Sequence, residues 1–190
     1  MWRRTLNSWG YSPLDQIDRS NVNELRMVWT RALNQGSNQG TPLVYDGVMY
    51  MPNPSDVIQA IDAVTGDLQW EHRRDQPEDL SDYVSGLAQI NRNIAIHDTL
   101  IIDTSADDYV FALDATSGLL VWETQILDYQ TLPAHQSSGP IIANGKIISG
   151  RGCMPRSGPD ACVITAHDAA TGNELWRRRL IPAPGEPGDD

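Results

Sequence analysis

The chain has 190 residues and a formal net charge of -11, with 25 aspartates and glutamates against 14 lysines and arginines. This balance excludes a nucleic-acid partner, because neutralising phosphates requires clustered basic side chains and the densest basic run is the short stretch 177–179. No apolar run reaches the roughly 20 residues that span a bilayer, so the sequence predicts no transmembrane segment.

The first part of the chain, residues 1–30, differs in pattern from the remainder. The arginines near its start are not followed by an apolar segment, so the start is not a signal peptide. Ser20 or Asn21 can cap a short helical turn, and the apolar residues after it predict a strand through Val28 and Trp29. We interpret this strand as the last one of a sheet whose other strands lie elsewhere.

One motif, A-x-D-x-x-T/S-G-x-x-x-W, occurs three times along the chain. Its copies are Ala60, Asp62, Thr65, Gly66 and Trp70, then Ala112, Asp114, Ser117, Gly118 and Trp122, then Ala166, Asp168, Thr171, Gly172 and Trp176. The glycine supplies the positive φ of a tight turn, and the aspartate can accept hydrogen bonds from the amides of that turn. The tryptophan suits wedging between neighbouring sheets, and the alanine leaves room for an indole ring. The motif is therefore structural rather than catalytic.

The stretches between the motifs also repeat. Each motif is preceded by short alternating apolar runs, with "DG", "HD" or "NG" where a hairpin turn is expected. Each repeat therefore predicts a four-stranded antiparallel sheet, and stacked sheets of this kind are the blades of an all-β propeller. We place blades at 31–70, 71–122 and 123–176, and an open loop at 177–190.

The predicted blades are too few to close a ring, since propellers typically have about four to eight blades. We therefore interpret the chain as the N-terminal part of a longer protein. An oligomer that closes the ring between chains is the alternative. Expressed alone, the chain should expose blade faces and open strand edges, which promote aggregation.

The two cysteines, Cys153 and Cys162, flank a short loop that contains proline and glycine. We expect a disulfide between them, which suits an oxidising compartment, and two unpaired thiols are the alternative. The cysteines and histidines lack the spacing of a zinc site, and the sequence has no nucleophile elbow, P-loop or dinucleotide fingerprint.

The repeated motif resembles the tryptophan-docking motif of the quinoprotein alcohol dehydrogenases, in the branch that contains methanol and ethanol dehydrogenases. The stretches "YSPLDQIDRSNVNELRMVW" and "GTPLVYDGVMYMP" are similar to the first segments of that branch. The resemblance implies an eight-bladed propeller, within the usual range of about four to eight blades, that holds pyrroloquinoline quinone (PQQ) and calcium. It also implies oxidation of an alcohol-type substrate in the periplasm, with electrons passed to a cytochrome c or a quinone.

The resemblance implies three cofactor-binding residues in this chain. Gln39 stands where the family often has a glutamate that bonds the quinone, and its amide still donates and accepts hydrogen bonds. Arg92, which follows Asn91, matches the family arginine that pairs with a quinone carboxylate. Ser137 matches a family threonine. The catalytic base and most calcium ligands would lie beyond residue 190, so we assign no catalytic residue and no metal ligand here.

The sequence departs from the family pattern at other positions of the cofactor site. Gly86 and Leu87 stand where many members have the adjacent cysteines that cover the quinone. Pro155 stands near the place of a calcium-binding glutamate, and proline has no ligating side chain. Some propellers with docking motifs bind no cofactor, so a non-catalytic scaffold with a protein-interaction role is the alternative function.

Overall fold

The computed structural model describes residues 13–84, 86, 90–182 and 184–185. Its strands are β1 (Leu43–Tyr45), β2 (Val48–Asn53), β3 (Val57–Asp62), β4 (Leu68–Arg73), β5 (Ala95–His97), β6 (Leu100–Thr104), β7 (Tyr109–Asp114), β8 (Leu120–Gln125), β9 (Ala134–His135), β10 (Ile141–Ala143), β11 (Lys146–Gly150), β12 (Gly152–Cys153), β13 (Val163–Asp168) and β14 (Glu174–Arg179). Helix α1 covers Leu80–Tyr83, and single 3-10 turns cover Val22–Glu24 and Pro159–Ala161.

Twelve of these strands form three four-stranded antiparallel sheets, in the orders β1-β2-β3-β4, β5-β6-β7-β8 and β10-β11-β13-β14. We call them the first, second and third sheets. Strands β9 and β12 form a separate two-stranded ladder beside the third sheet. The prediction of one four-stranded sheet per repeat is confirmed, whereas the small ladder was not predicted.

The hairpins between the first two strands of the first and third sheets turn at the predicted dipeptides, "DG" and "NG". Tyr45 pairs with Val48, so Asp46 and Gly47 form a two-residue turn with φ of 49° and 77°. The third sheet repeats this geometry at Asn144, whose φ is 48°. Such left-handed residues match the twist of the adjoining strands, which is why asparagine, aspartate and glycine occupy the turns.

In the second sheet the predicted "HD" turn is wrong by one residue. His97 is the last residue of β5 and pairs with Leu100, so the turn is formed by Asp98 and Thr99.

The motif residues occupy equivalent places in the three sheets. In the first sheet, Ala60 is the register partner of Trp70, and a bulge follows between Ala60 and Ile61. The Asp62 carboxylate accepts from the backbone N–H of Thr65 at 2.8 Å, as the turn chemistry predicts. The second and third sheets repeat both features.

The tryptophan of one sheet lies on the glycine turn of the next. A Cβ atom at Gly118, whose φ is +71°, would lie 2.5 Å from the ring of Trp70. The same clash would arise at 2.4 Å between Gly172 and Trp122. A side chain on either glycine would therefore push neighbouring sheets apart.

The segment around Trp29 makes the corresponding contact without forming a strand. Its ring lies against Gly66, and its Nε1 donates to the carbonyl of Ala63 at 3.2 Å. A strand needs a hydrogen-bonded neighbour, and none of the described sheets extends to Val28 and Trp29. Our interpretation of this segment as the last strand of a sheet whose other strands lie elsewhere stays a prediction.

Most of the hydrophobic core of the described residues lies in two layers between the sheets, and a small third cluster of Leu80, Val84 and Ala106 lies at α1. The first junction contains Tyr50, Ile58, Ala60, Trp70, Ile101, Phe111, Leu113 and Ala115. The second junction contains Ile102, Val110, Ala112, Ile126, Ile147, Ala161, Val163 and Ala169, with Trp122 and Cys153 packed against it. Successive residues of β7 enter opposite junctions because side chains alternate along a strand.

The antiparallel strands give the stack two different ends. We call the end with the turns 62–67, 114–119 and 168–173 the motif end. The opposite end, which we call the loop end, carries the residues that precede β1, β5 and β10, together with the loops 54–56, 105–108 and 154–162. The predicted disulfide is confirmed there: Cys153 and Cys162 are bonded, with Cα atoms 4.5 Å apart.

Candidate functional site

The three residues predicted to bind a cofactor meet at the loop end. Arg92 Nε donates to Oε1 of Gln39 at 2.9 Å. Its Nη1 donates to the hydroxyl of Ser137 and, at 3.4 Å, to the carbonyl of that residue. The three residues lie in the segments just before β1, β5 and β10, the first strands of the three sheets, so the guanidinium links all three repeats. Their role in binding a cofactor stays a prediction.

Backbone contacts between the sheets hold this group in place. The Thr41 N–H donates to the carbonyl of Arg92 at 3.0 Å, which ties the first sheet to the second. Asn93 Nδ2 donates to the carbonyl of Pro140 at 3.2 Å, which ties the second sheet to the third. A Cβ atom at Gly139 would lie 1.8 Å from the Asn93 carbonyl oxygen, so only glycine permits this approach.

The partners of Arg92 are all electrically neutral. Among the described residues, no carboxylate lies within ion-pair distance of its guanidinium. Gln39 is itself oriented by a bond from its Nε2 to the hydroxyl of Ser37 at 3.1 Å. The Arg92 guanidinium therefore has no acidic partner among the described residues, lies at a half-buried position, and has N–H groups left to bind an anion. A planar guanidinium fork suits a carboxylate in particular.

A second polar layer, buried at the same end, was not predicted from the sequence. Arg74 makes a two-pronged ion pair with Asp107, with both N–O distances at 2.9 Å, and reaches Glu123 at 2.6 Å. Its guanidinium carbon lies 4.6 Å from the centre of the Tyr109 ring. Arg74 follows the first sheet and its partners belong to the second, so this pair closes the first junction at the loop end.

The second junction is closed by a different pair. Arg151 is 1% exposed and donates through Nε to Asp108 at 2.7 Å and through Nη1 to the Ser149 hydroxyl at 2.7 Å. Burial raises the pKa of Asp108 to about 6, although the neighbouring guanidinium opposes the shift. Removing either partner would leave an uncompensated buried charge, which is strongly destabilising.

Asp103 and Asp56 complete the layer. The Thr104 N–H donates to Oδ1 of Asp103 at 2.7 Å, and Asn91 Nδ2 donates to its Oδ2. Asp56 accepts from the Ala106 N–H at 2.9 Å. Burial raises the pKa of both carboxyls, that of Asp56 to about 6, and the charge of Asp56 adds to the effect on Asp103. The sequence signal for Asp103 was an acidic residue inside an otherwise apolar strand.

The positions that depart from the family pattern lie partly within the described structure. Gly86 is exposed, and Leu87 lies outside the described residues. Pro155 lines a cleft of about 390 Å³ between α1 and the disulfide loop, together with Tyr83, Met154 and Arg156. Arg156 donates to the carbonyls of Asp82 and Tyr83 and so fixes the loop to the helix. None of Gln39, Arg92 and Ser137 is among the described residues that line this cleft.

The described residues can also be assessed for a metal-binding cluster and for a membrane-spanning helix. Within the part of the chain that the structure covers, no group of three or more His, Cys, Asp or Glu side chains is arranged to hold a metal ion. No helix in that part is long and apolar enough to cross a membrane.

The comparison with known proteins rests on the whole sequence. The domain described as the glucose/ethanol/alcohol dehydrogenase β-propeller of the PQQ proteins matches residues 1–190. The chain belongs to the PQQ-dependent alcohol dehydrogenase family. The predicted fold, a partial β-propeller of four-stranded blades, is thereby confirmed together with the family.

Individual relatives agree with this assignment. The dehydrogenase subunit of the alcohol dehydrogenase (quinone) of Gluconacetobacter polyoxogenes is 36% identical over 188 residues, which cover 95% of this chain and 25% of that protein. The 1-butanol dehydrogenase (cytochrome c) of Thauera butanivorans is 32% identical over 181 residues, with 93% and 25% covered. The solved quinohemoprotein alcohol dehydrogenase ADHIIG of Pseudomonas putida HK5 superimposes with a TM-score of 0.79 at 30% identity, with 95% and 26% covered. The chain thus spans about a quarter of the length of these relatives.

Proposed function

We propose that this chain is part of a PQQ-dependent dehydrogenase that oxidises an alcohol-type substrate and passes the electrons to a cytochrome c or a quinone. The observation that carries the proposal is the uncompensated charge of Arg92, held by neutral partners where three sheets meet. PQQ carries several carboxylates, and the donor set of this site suits an anion of that kind. The names of the relatives, which include an alcohol dehydrogenase (quinone) and a 1-butanol dehydrogenase (cytochrome c), support the choice of substrate and acceptor.

In this proposal, the residues of the chain bind and orient the cofactor. Arg92 would pair with one carboxylate of PQQ. The Ser137 hydroxyl and the Gln39 amide would hold the guanidinium in place and would also form hydrogen bonds with PQQ. Bound PQQ would supply a two-electron acceptor for the alcohol. We place the catalytic base and most ligands of the accompanying calcium ion beyond residue 190.

The same proposal covers the architecture and the compartment. The blades at 31–70, 71–122 and 123–176 would form the first part of an eight-bladed ring, consistent with the usual range of about four to eight blades. The motif tryptophans would dock each blade on the next, as the contacts of Trp70 and Trp122 suggest. The Cys153–Cys162 disulfide supports an oxidising compartment such as the periplasm.

A non-catalytic propeller scaffold is the second candidate. The observation that favours it is Pro155, which offers no ligating side chain near the place of a calcium-binding glutamate. A scaffold of this kind would need the junctions between the sheets but would not need an arginine without an acidic partner at position 92.

The test is a titration of the full-length protein with PQQ in the presence of calcium, followed by tryptophan fluorescence, alongside dye-linked oxidation of ethanol and 1-butanol. Arg92→Met should weaken PQQ binding by about 100-fold, because a charge-assisted bidentate pair is lost. Arg178→Met is the matched control, since Arg178 is exposed on β14 and bonds only the neighbouring carbonyl of Arg177 in the described structure. Absence of both PQQ binding and alcohol oxidation in the unmodified protein would refute the enzyme and favour the scaffold.

A further inference from the structure

We propose that Asp103 is a positioning residue for Arg92: by fixing Asn91 inside the second sheet, it holds the Arg92 guanidinium at the meeting point of the sheets. The consequence for PQQ binding rests on the proposed function, whereas the positioning itself does not.

Asp103 lies on β6, which pairs with β5, and its side chain is 0% exposed. Both of its carboxylate oxygens accept from nitrogen donors, Oδ1 from the Thr104 N–H at 2.7 Å and Oδ2 from Asn91 Nδ2. Asn91 is itself 6% exposed, so this bond is formed away from solvent. An amide at position 103 has one acceptor oxygen instead of two, so either the Thr104 N–H or the Asn91 NH₂ group loses its acceptor.

Three consecutive residues are thereby fixed in three directions. Asn91 is bonded inward to Asp103 of its own sheet. The carbonyl of Arg92 accepts from Thr41, which lies just before the first sheet, and the side chain of Asn93 donates to the carbonyl of Pro140, just before the third. Only the side chain of Arg92 remains directed at the shared site, where it bonds its neighbours through Nε and Nη1.

Loss of the inward bond should therefore act on Arg92 rather than on the site in general. Without the bond to Asp103, the segment at residue 91 would shift while Thr41 still holds the Arg92 carbonyl, and Arg92 Nε would lose its bond to Gln39. The carboxylate of Asp103 is too deeply buried to contact a ligand at the mouth of the site, so we do not consider it a catalytic residue.

The experiment uses the full-length protein and the variants Asp103→Asn, Arg92→Met, their combination, and the exchange variant Asn91→Asp with Asp103→Asn. The exchange variant restores one donor and one acceptor in reversed order, while the Thr104 N–H still meets an oxygen. Arginine side-chain NMR of the apo-protein reports the Arg92 Nε–H signal, which Arg92→Met identifies. Fluorescence titration reports the affinity for PQQ.

We expect Asp103→Asn to remove or shift the Arg92 Nε–H signal and to weaken PQQ binding about tenfold, the size of one lost hydrogen bond. The exchange variant should recover both. In the Arg92→Met background, Asp103→Asn should have no further effect on affinity, because the two residues act as one unit.

Two outcomes would overturn the proposal. One is an unchanged Arg92 signal in Asp103→Asn, and the other is an equal loss of affinity with and without Arg92, as a purely structural role would give. If Asp103→Asn does not fold, Asn91→Ala removes the same bond from the other side and should change the Arg92 signal in the same way. If the unmodified protein does not bind PQQ, the proposed function fails while the NMR arm still decides the positioning role.

Discussion

At the first junction, the indole of Trp70 donates to the carbonyl of Ala115 at 2.9 Å, and the Tyr50 hydroxyl shares that acceptor at 3.2 Å. At the second junction, Trp122 packs on its glycine turn in the same way, but its Nε1 is buried without a partner in the described structure. The apolar contact is thus the same at both junctions, and the polar contact is not.

A second difference lies directly after the motif alanine. The first two repeats have Ile61 and Leu113 at this position, whereas the third has His167. His167 is 0% exposed, and both of its ring nitrogens lack a hydrogen-bond partner within the described residues. Glu174 Oε2 lies 3.8 Å from Nε2. Burial lowers the pKa of His167; the Glu174 carboxylate opposes this shift, and the charges of Arg151 and Arg177 add to it.

The second junction has other connections that offset these losses. The Cys153–Cys162 disulfide borders it, and Thr124 Oγ1 donates across it to the carbonyl of Gly172 at 2.8 Å. The contact of the tryptophan ring with the glycine turn therefore fixes how the sheets stack, while the hydrogen bonds that accompany it differ from one junction to the next. Four changes test this view.

The largest effect is expected where the shared contact itself is broken. Gly118→Ala places a Cβ 2.5 Å from the Trp70 ring at a φ of +71°, and should lower the free energy of unfolding by about 3 kcal/mol through strain and overpacking. Gly47→Ala is the control, because Gly47 has a similar φ of +77° but open space around it, and should cost about 1 kcal/mol. Chemical denaturation measures both. Equal losses would mean that the backbone, not the ring contact, determines the cost.

Removing the disulfide should weaken the second junction, against which Cys153 packs. The double variant Cys153→Ser with Cys162→Ser opens a loop with a sequence separation of 9, and we expect a loss of about 2–3 kcal/mol. Reductant should destabilise the unmodified protein by the same amount and leave the variant unchanged. A variant as stable as the unmodified protein would show that the disulfide does not support this junction.

The tryptophans provide a direct comparison of the two polar contacts. Trp70→Phe removes both ring area and the hydrogen bond to Ala115, whereas Trp122→Phe removes ring area and a buried donor without a partner. Trp70→Phe should therefore be more destabilising by about 1 kcal/mol. Thermal unfolding followed by circular dichroism avoids the loss of fluorescence. The reverse order would contradict the assignment of the unpaired donor to the second junction.

The smallest effect concerns pH. Because the pKa of His167 is lowered in the folded state, the unfolded chain binds more protons, and stability falls as the pH drops below about 6.5. His167→Leu, which copies the second repeat, should raise stability by about 1 kcal/mol near neutral pH and remove this part of the acid loss. His97→Gln, at a partly exposed histidine, is the control. A pH profile that His167→Leu does not alter would refute the assignment.

The sequence predicted the features that depend on neighbouring residues, and it did not predict those that depend on contacts between distant parts of the chain. The motif turns follow from the chemistry of a few neighbouring residues, and the structure has them at Asp62, Asp114 and Asp168 as expected. Gln39, Arg92 and Ser137 were selected one by one through a resemblance. The resemblance grouped them around one cofactor, but the direct bonds of Arg92 to Gln39 and Ser137 could not be predicted, because they join parts of the chain that are far apart in the sequence.

The buried polar layer was missed for a related reason. Arg74 and Arg151 are ordinary basic residues in the sequence, and only their burial beside Asp107 and Asp108 distinguishes them. Asp103 did carry a signal, since an acidic side chain in an apolar strand requires a buried partner. His167 carried one too, as a polar residue at a repeat position that is otherwise aliphatic.

The adjacent aspartates of the β6–β7 loop have a consequence for how this protein can change. Asp107 bonds Arg74 on one side of the second sheet, and Asp108 bonds Arg151 on the other. An insertion or deletion in this loop would therefore disturb both neighbouring sheets at once. Its length is constrained from two directions, and we expect natural variation in chain length to accumulate in loops that serve a single neighbour.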